Sequence, residues 1–190
     1  MDNFSFLLAS SVEAAPRLLG CHLVRELNGR RLVGRIVEVE AYSQEDEASH
    51  SYRGKTARTA AMFGPSGHLY VYFTYGMHYC ANIVTGEAGY GAGVLLRAIE
   101  PLEGEEFMTA NRNDVSGRNL TNGPGKLAQA LAIDKALLGH DLHQPPLQLI
   151  VQPPLPPEAI IQTTRIGISK AAEKPWRFYE KGNSYVSKLA

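Results

Sequence analysis

Cysteine is scarce in this chain of 190 residues: Cys21 and Cys80 are the only two. That excludes a disulfide framework, and neither residue has a partner at metal-ligand spacing. Both sit among apolar neighbours, which favours two reduced thiols and a reducing compartment. Net charge is missing as well, since 19 Lys and Arg balance 19 Asp and Glu. Duplex-binding domains are usually basic, so the balance argues against nucleic acid as a partner. Its distribution argues the other way. From Ser49 to Gly86 the chain has Arg53, Lys55 and Arg58 but no acid. From Ile160 onward Arg165, Lys170, Lys174, Arg177, Lys181 and Lys188 face only Glu173 and Glu180. A neutral chain can in this way present a basic face.

Charge of either sign is absent from Thr59 to Gly86, a stretch of 28 residues. A bilayer needs about 20 apolar residues, so length alone would allow a membrane span. Gly64, Pro65, Gly67, His68, Gly76, His78 and Asn82 interrupt it, and its aromatic residues alternate. Those are the marks of strands and turns, and no membrane association is expected. The opening Met-Asp-Asn-Phe has no basic n-region, so a cytoplasmic protein is expected. With 44% hydrophobic and 20% charged residues, disorder and low complexity are excluded. Residues 1–190 are expected to form one domain.

Ser10 to Leu19 reads as a short helix, capped by Ser10 or Ser11 and ended by Gly20. Cys21–Glu26 and Arg31–Tyr42 read as strands joined at Asn28-Gly29, a strong hairpin signal. Further strands are expected at Gly67–Thr74, Met77–Val84, Ala92–Ile99, Leu147–Val151, Arg165–Ser169 and Arg177–Tyr179. Helical spacing appears over Glu103–Arg112 and Gly125–Ile133. Strands outnumber helices and tight turns join most of them, so the class is α+β around an antiparallel or mixed sheet.

Four features bear on chemistry. In Val37-Glu38-Val39-Glu40-Ala41-Tyr42, alternation puts Glu38, Glu40 and Tyr42 on the face opposite Val37, Val39 and Ala41. This is either a solvated face or a general base beside an aromatic platform. The run Leu69 to Asn82 places Tyr75 and Met77 at a hairpin turn, where a large aromatic has little sheet to pack on. Asn122-Gly123-Pro124-Gly125-Lys126 leads into a helix and reads as a plain turn or a phosphate cradle; P-loop spacing is missing. Arg97 lies within the apolar strand Val94–Ile99 and needs an anionic partner. His50, His68 and His78 lack metal-ligand spacing, and no metal is expected.

Taken together, these segments resemble the alkyladenine-type (3-methyladenine) DNA glycosylases, as a bacterial member. The resemblance rests on Gly34-Arg35-Ile36-Val37-Glu38-Val39-Glu40-Ala41-Tyr42, Asp46-Glu47-Ala48-Ser49-His50-Ser51, Met62-Phe63-Gly64-Pro65, and Gly67-His68-Leu69-Tyr70-Val71-Tyr72 through Gly76-Met77. Val94-Leu95-Leu96-Arg97-Ala98, Glu100-Pro101-Leu102-Glu103-Gly104, Gly123-Pro124-Gly125-Lys126-Leu127 and Lys174-Pro175-Trp176-Arg177-Phe178-Tyr179 follow in order. The chain departs at Thr56-Ala57-Arg58-Thr59, where the family commonly has Thr-Pro-Arg-Asn.

The resemblance implies an α+β domain with a curved, mostly antiparallel sheet, a protruding β-hairpin and surrounding helices. It implies a monofunctional enzyme of base excision repair that flips alkylated or deaminated purines from duplex DNA and hydrolyses the N-glycosidic bond. Glu40 would activate the water and Arg97 would help hold it. Tyr42, His50, Tyr72 and Asn82 would form the base pocket, and Tyr75 with Met77 would wedge into the duplex. Arg53, Lys55, Arg58 and Lys126 would bind backbone phosphates. No cofactor is implied; the expected state is a monomer acting on nucleoid DNA. For Tyr72 and Asn82 to share a face, the hairpin loop must hold an odd number of residues. Two other readings stay open: a damage-binding protein without catalysis, and an O-glycoside hydrolase using Glu38 and Glu40. The second is disfavoured because carboxylates at i and i+2 point in parallel and cannot flank a bond.

Overall fold

A computed structural model describes residues 4–74 and 76–189. Local chemistry sets the first helix, α1 (Ser11–Leu18). Ser10 Oγ accepts the Glu13 N–H, and the Glu13 carboxylate accepts the Ser10 N–H at 3.2 Å, a reciprocal capping box. A left-handed Gly20 follows it (φ 86°). Strands β1 (His22–Leu27) and β2 (Arg30–Tyr42) meet at Asn28 and Gly29, both at positive φ, as a two-residue hairpin turn requires.

The remaining elements are β3 (Leu69–Thr74), β4 (His78–Val84), β5 (Gly93–Glu103), α2 (Glu105–Asn111), α3 (Pro124–Ala130), β6 (Leu147–Ile150), β7 (Ile160–Thr163) and β8 (Arg177–Glu180). All strand pairings are antiparallel, in one curled sheet ordered β3-β4-β5-β2-β1-β6. The class is α+β. β2 is its axis: β5 runs along one edge, while β1 and then β8 occupy the other. β7 pairs with the outer edge of β8. Helix α1 packs on β2, and α3 packs on β4 and β5. Between them Leu18, Leu32, Ile36, Leu69, Ile83, Leu96 and Ile99 are fully buried. Each such side chain contributes about 1.5–3 kcal/mol of transfer free energy.

Two expectations are corrected. Arg165–Ser169 is not a strand: Gly167 has φ 74°, and the Arg165 side chain turns inward to an ion pair. The strand in that region is β7 instead, hidden in the sequence among the prolines around it. The solvated face expected for Glu38 and Glu40 does not exist either. Both are fully buried, as are Val37, Val39 and Ala41. Register shifts on either side of Glu38 break the simple alternation.

The β3–β4 hairpin pairs Thr74 with His78, Tyr72 with Cys80 and Tyr70 with Asn82. Three positions separate the paired Thr74 and His78 in the sequence, an odd number, and Tyr70, Tyr72, Cys80 and Asn82 share one face. Only Asn82–Val84 of β4 pair with β5, so the outer part of the hairpin projects beyond the sheet. Tyr75, singled out from the sequence, lies outside the described residues.

Candidate active site

A cavity of about 340 Å³ opens between the inner face of the hairpin, the end of β2, the turn through His50 and the segment 166–168. This is near the low end of the usual range for small-ligand sites, about 300–1,000 Å³. Glu40 and Arg97 line it together with Tyr42, His50, Tyr72 and Asn82. All six residues assigned to catalysis and base pocket from the sequence are thus brought together, although up to 57 positions separate them in the chain.

The Glu40 carboxylate is fully buried yet reaches the cavity. Its Oε1 accepts the Ile166 N–H at 2.8 Å and lies 3.3 Å from Arg97 Nη1. Its Oε2 accepts the Tyr42 hydroxyl at 2.9 Å. Burial, and then the adjacent Glu40 charge, push the Tyr42 hydroxyl above the ordinary phenol value, so it remains a donor. Arg97 is buried, and its Nε donates to Glu38 Oε1 at 2.8 Å. Burial disfavours its charge, but Glu40 and Glu38 more than offset that and hold it protonated.

Glu38 is the principal group to which the resemblance assigns no role. Its Oε1 also accepts Arg177 Nε and Ser187 Oγ, each at 2.8 Å, and Oε2 accepts the Ser187 N–H at 2.6 Å. Burial alone would raise its pKa; Arg97, the Ser187 N–H and Arg177 outweigh that and hold it below the usual carboxylate range. A second buried ion pair, Arg165 with Asp46, lies behind Tyr42. The Arg165 guanidinium sits 4.6 Å from the Tyr42 ring centroid and also donates to the Ala41 carbonyl. Asp46 lies within a segment quoted for the resemblance, but its partner is 119 positions away and carries no local signal.

Aromatic groups build the opposite wall. Tyr70 and Tyr72 stack with centroids 5.6 Å apart, and His50 meets Tyr72 edge-on at 4.5 Å. His50 Nδ1 lies 3.0 Å from the Tyr70 hydroxyl. Its side chain is exposed at the mouth, but lost solvation there and then the Arg58 charge hold it below the ordinary histidine range. Neutral imidazole is therefore the form at pH 7. Asn82 Nδ2 donates to the Tyr70 carbonyl at 3.3 Å, which fixes its amide against the wall.

Outside the pocket Arg53, Lys55 and Arg58 are exposed, while Lys126 is half-buried with Nζ on Asn122 Oδ1 at 2.6 Å. Met77, beside the hairpin tip, is 69% exposed. Arg165 and Arg177, counted above toward a basic face, are both buried in ion pairs with Asp46 and Glu38 and cannot serve it. Among the described residues no three His, Cys, Asp or Glu gather as a metal site, and no helix is long and apolar enough to cross a membrane.

A buried, charge-paired carboxylate at the base of an aromatic-walled cleft is placed to act as a general base on a planar ligand. Residues 5–184 match the family model described as methylpurine-DNA glycosylase, and the chain belongs to that family. It is a DNA glycosylase, and DNA is its substrate. Among its relatives are proteins of Carboxydothermus hydrogenoformans (54% identical over 92% of each chain), Methanoculleus marisnigri (51% over 97% of each) and Nitrosospira multiformis (47% over 95% of this chain and 90% of the relative). Each of the three bears the name "Putative 3-methyladenine DNA glycosylase".

Proposed function

We propose that this enzyme removes alkylated and deaminated purines from duplex DNA by hydrolysing the N-glycosidic bond of a nucleotide rotated into the pocket. The observation that carries this reading is Glu40: a carboxylate with Arg97, Tyr42 and the Ile166 N–H around it and an aromatic cleft in front. Glu40 takes a proton from a water that attacks C1′, and Arg97 holds that water. The purine leaves with the bond electrons. A 3-alkylated adenine is cationic in the nucleotide, so it departs as a neutral base without help from an acid. No lysine lines the pocket, so attack proceeds through water and the enzyme is monofunctional.

Electron-poor purines favour the faces of Tyr42 and Tyr72, with His50 completing the wall. The His50 backbone N–H reads the purine 6-position, where normal adenine offers a donor instead of an acceptor. Asn82 crowds the place of guanine's 2-amino group. Tyr75 and Met77 fill the vacated stack, and Arg53, Lys55, Arg58 and Lys126 bind phosphates, which position the duplex without specifying sequence. The substrates are 3-methyladenine, with 7-methylguanine, hypoxanthine and ethenoadenine as further candidates. The enzyme works as a monomer on chromosomal DNA in the cytoplasm.

The test is single-turnover release of free base from duplexes carrying each lesion. Glu40→Gln is expected to keep lesion-DNA affinity and to lose base release by at least about 100-fold, the worth of a general base. A variant that excises at near wild-type rate would remove Glu40 from the mechanism. Binding without release by the wild type would make the protein a damage-recognition factor instead.

A further inference from the structure

We propose that Ser187 is a positioning residue for hydrolysis: with Glu38, its hydroxyl fixes the direction in which the Arg97 guanidinium meets Glu40. The proposal rests on the roles given above to Glu40 and Arg97. Each nitrogen of Arg97 has a different partner. Nε donates to Glu38 Oε1 at 2.8 Å, Nη1 lies 3.3 Å from Glu40 Oε1, and Nη2 donates to Ser187 Oγ at 3.3 Å. A guanidinium is planar, so anchoring Nε and Nη2 determines where Nη1 points. Ser187 Oγ therefore acts at both ends of the anchor, accepting from Arg97 while donating to Glu38 Oε1 at 2.8 Å.

Without that hydroxyl, Glu38 Oε1 loses one of three donors and Arg97 Nη2 loses its acceptor. An unpaired N–H in a low-dielectric setting turns toward another acceptor, and the nearest carboxylate outside the anchor is Glu40. The consequence falls on the alignment of Glu40 with its water, not on the pocket walls that hold the base. The tail itself does not depend on the hydroxyl. The Ser187 N–H still donates to Glu38 Oε2, Arg177 Nη2 still donates to the Lys188 carbonyl, and Val186 remains buried. Ser187 also lies beyond residue 184, where the match to the family model ends. The anchor is supplied by the C-terminal segment.

The experiment compares wild type, Ser187→Ala, Ser187→Thr, Glu38→Gln and the Glu38→Gln/Ser187→Ala pair, using the lesion duplex that the wild type cleaves fastest. Single-turnover release should fall about tenfold in Ser187→Ala, in line with the cost of a small misalignment at the reacting centre. Duplex affinity should stay at the wild-type value, the melting temperature should fall modestly but stay above the assay temperature, and Ser187→Thr, which keeps the hydroxyl, should restore the rate. On the Glu38→Gln background the Ser187→Ala change should add nothing, because both residues act through one anchor. The proposal is overturned by an unchanged rate in Ser187→Ala. It is equally overturned by a loss that tracks weaker binding, by a threonine that fails to restore, or by additive effects in the pair. Absence of release by the wild type would instead strike at the proposed function.

Discussion

Glu40 and Glu38 stand two residues apart on one strand and have been given different work by their neighbours. Glu40 keeps a side toward the cavity; Glu38 is surrounded by Arg97, Arg177 and Ser187 and reaches no solvent. That difference has a pH signature. Glu38 is held below its ordinary value of 4.5, so its contribution to stability is fully present above that value. It is lost as pH falls through the depressed value in the folded protein. The melting temperature should therefore drop below pH 4.5, and Glu38→Gln should drop less over the same range, although it starts lower. An equal acid slope in both proteins, read from thermal melts across that window, would contradict the ionised assignment. At this scale the sequence was readable where one residue type had one plausible job, as with an arginine inside an apolar strand. Glu38 was not readable, because its partners Arg177 and Ser187 come from the far end of the chain and the register shifts hide which way it points.

Elements whose geometry is set by neighbours in sequence were legible: the Ser10–Glu13 capping box, the Asn28-Gly29 turn, and the parity of the 75–77 loop. Elements set by tertiary partners were not. The Arg165–Ser169 segment looks like a strand by its alternating apolar residues, yet it wraps over the pocket to bring the Ile166 N–H to Glu40. The hairpin shows how local parity reaches function. The register of its strands places Tyr72 and Asn82 on the cavity side, and Met77 projects into solvent at 69% exposure. Met77→Ala should consequently leave the melting temperature unchanged while weakening capture of a rotated nucleotide, since an apolar wedge offsets part of the unstacking cost of a few kcal/mol. The loss should shrink for lesions placed opposite a mismatch, where less stacking has to be broken. Equal losses in paired and mismatched contexts would rule out the wedge.

Seen as a whole, the molecule hides part of its positive charge. Arg97, Arg165 and Arg177 are buried against Glu38, Glu40 and Asp46, so three charges of each sign are withdrawn together and any basic face has to come from how the exposed cations are placed. Arg53, Lys55 and Arg58 follow the His50 turn at the pocket mouth, and Lys126 sits in α3, whose Pro124 lines the cavity. If those four carry the phosphate contacts, affinity for undamaged duplex should fall with salt at a log–log slope of about −3.6. A slope near zero, measured by titration at several salt concentrations, would remove them from the interface. Charge-reversal of Lys181, on the turn after β8, should leave the slope unchanged.

β2 is hydrogen-bonded along both edges for nearly its whole length, to β5 on one side and on the other to Cys21, β1, β8 and the Trp176 carbonyl. An amide in such a strand exchanges its proton with solvent only when the sheet itself comes apart. The backbone that carries Glu38 and Glu40 should therefore be among the slowest-exchanging in the protein, protected to the full free energy of unfolding. Segment 164–170, whose described backbone has no strand ladder, should exchange much faster. Breathing around the pocket would then be confined to its roof, while the Glu40 carboxylate stays on the last part of the fold to open.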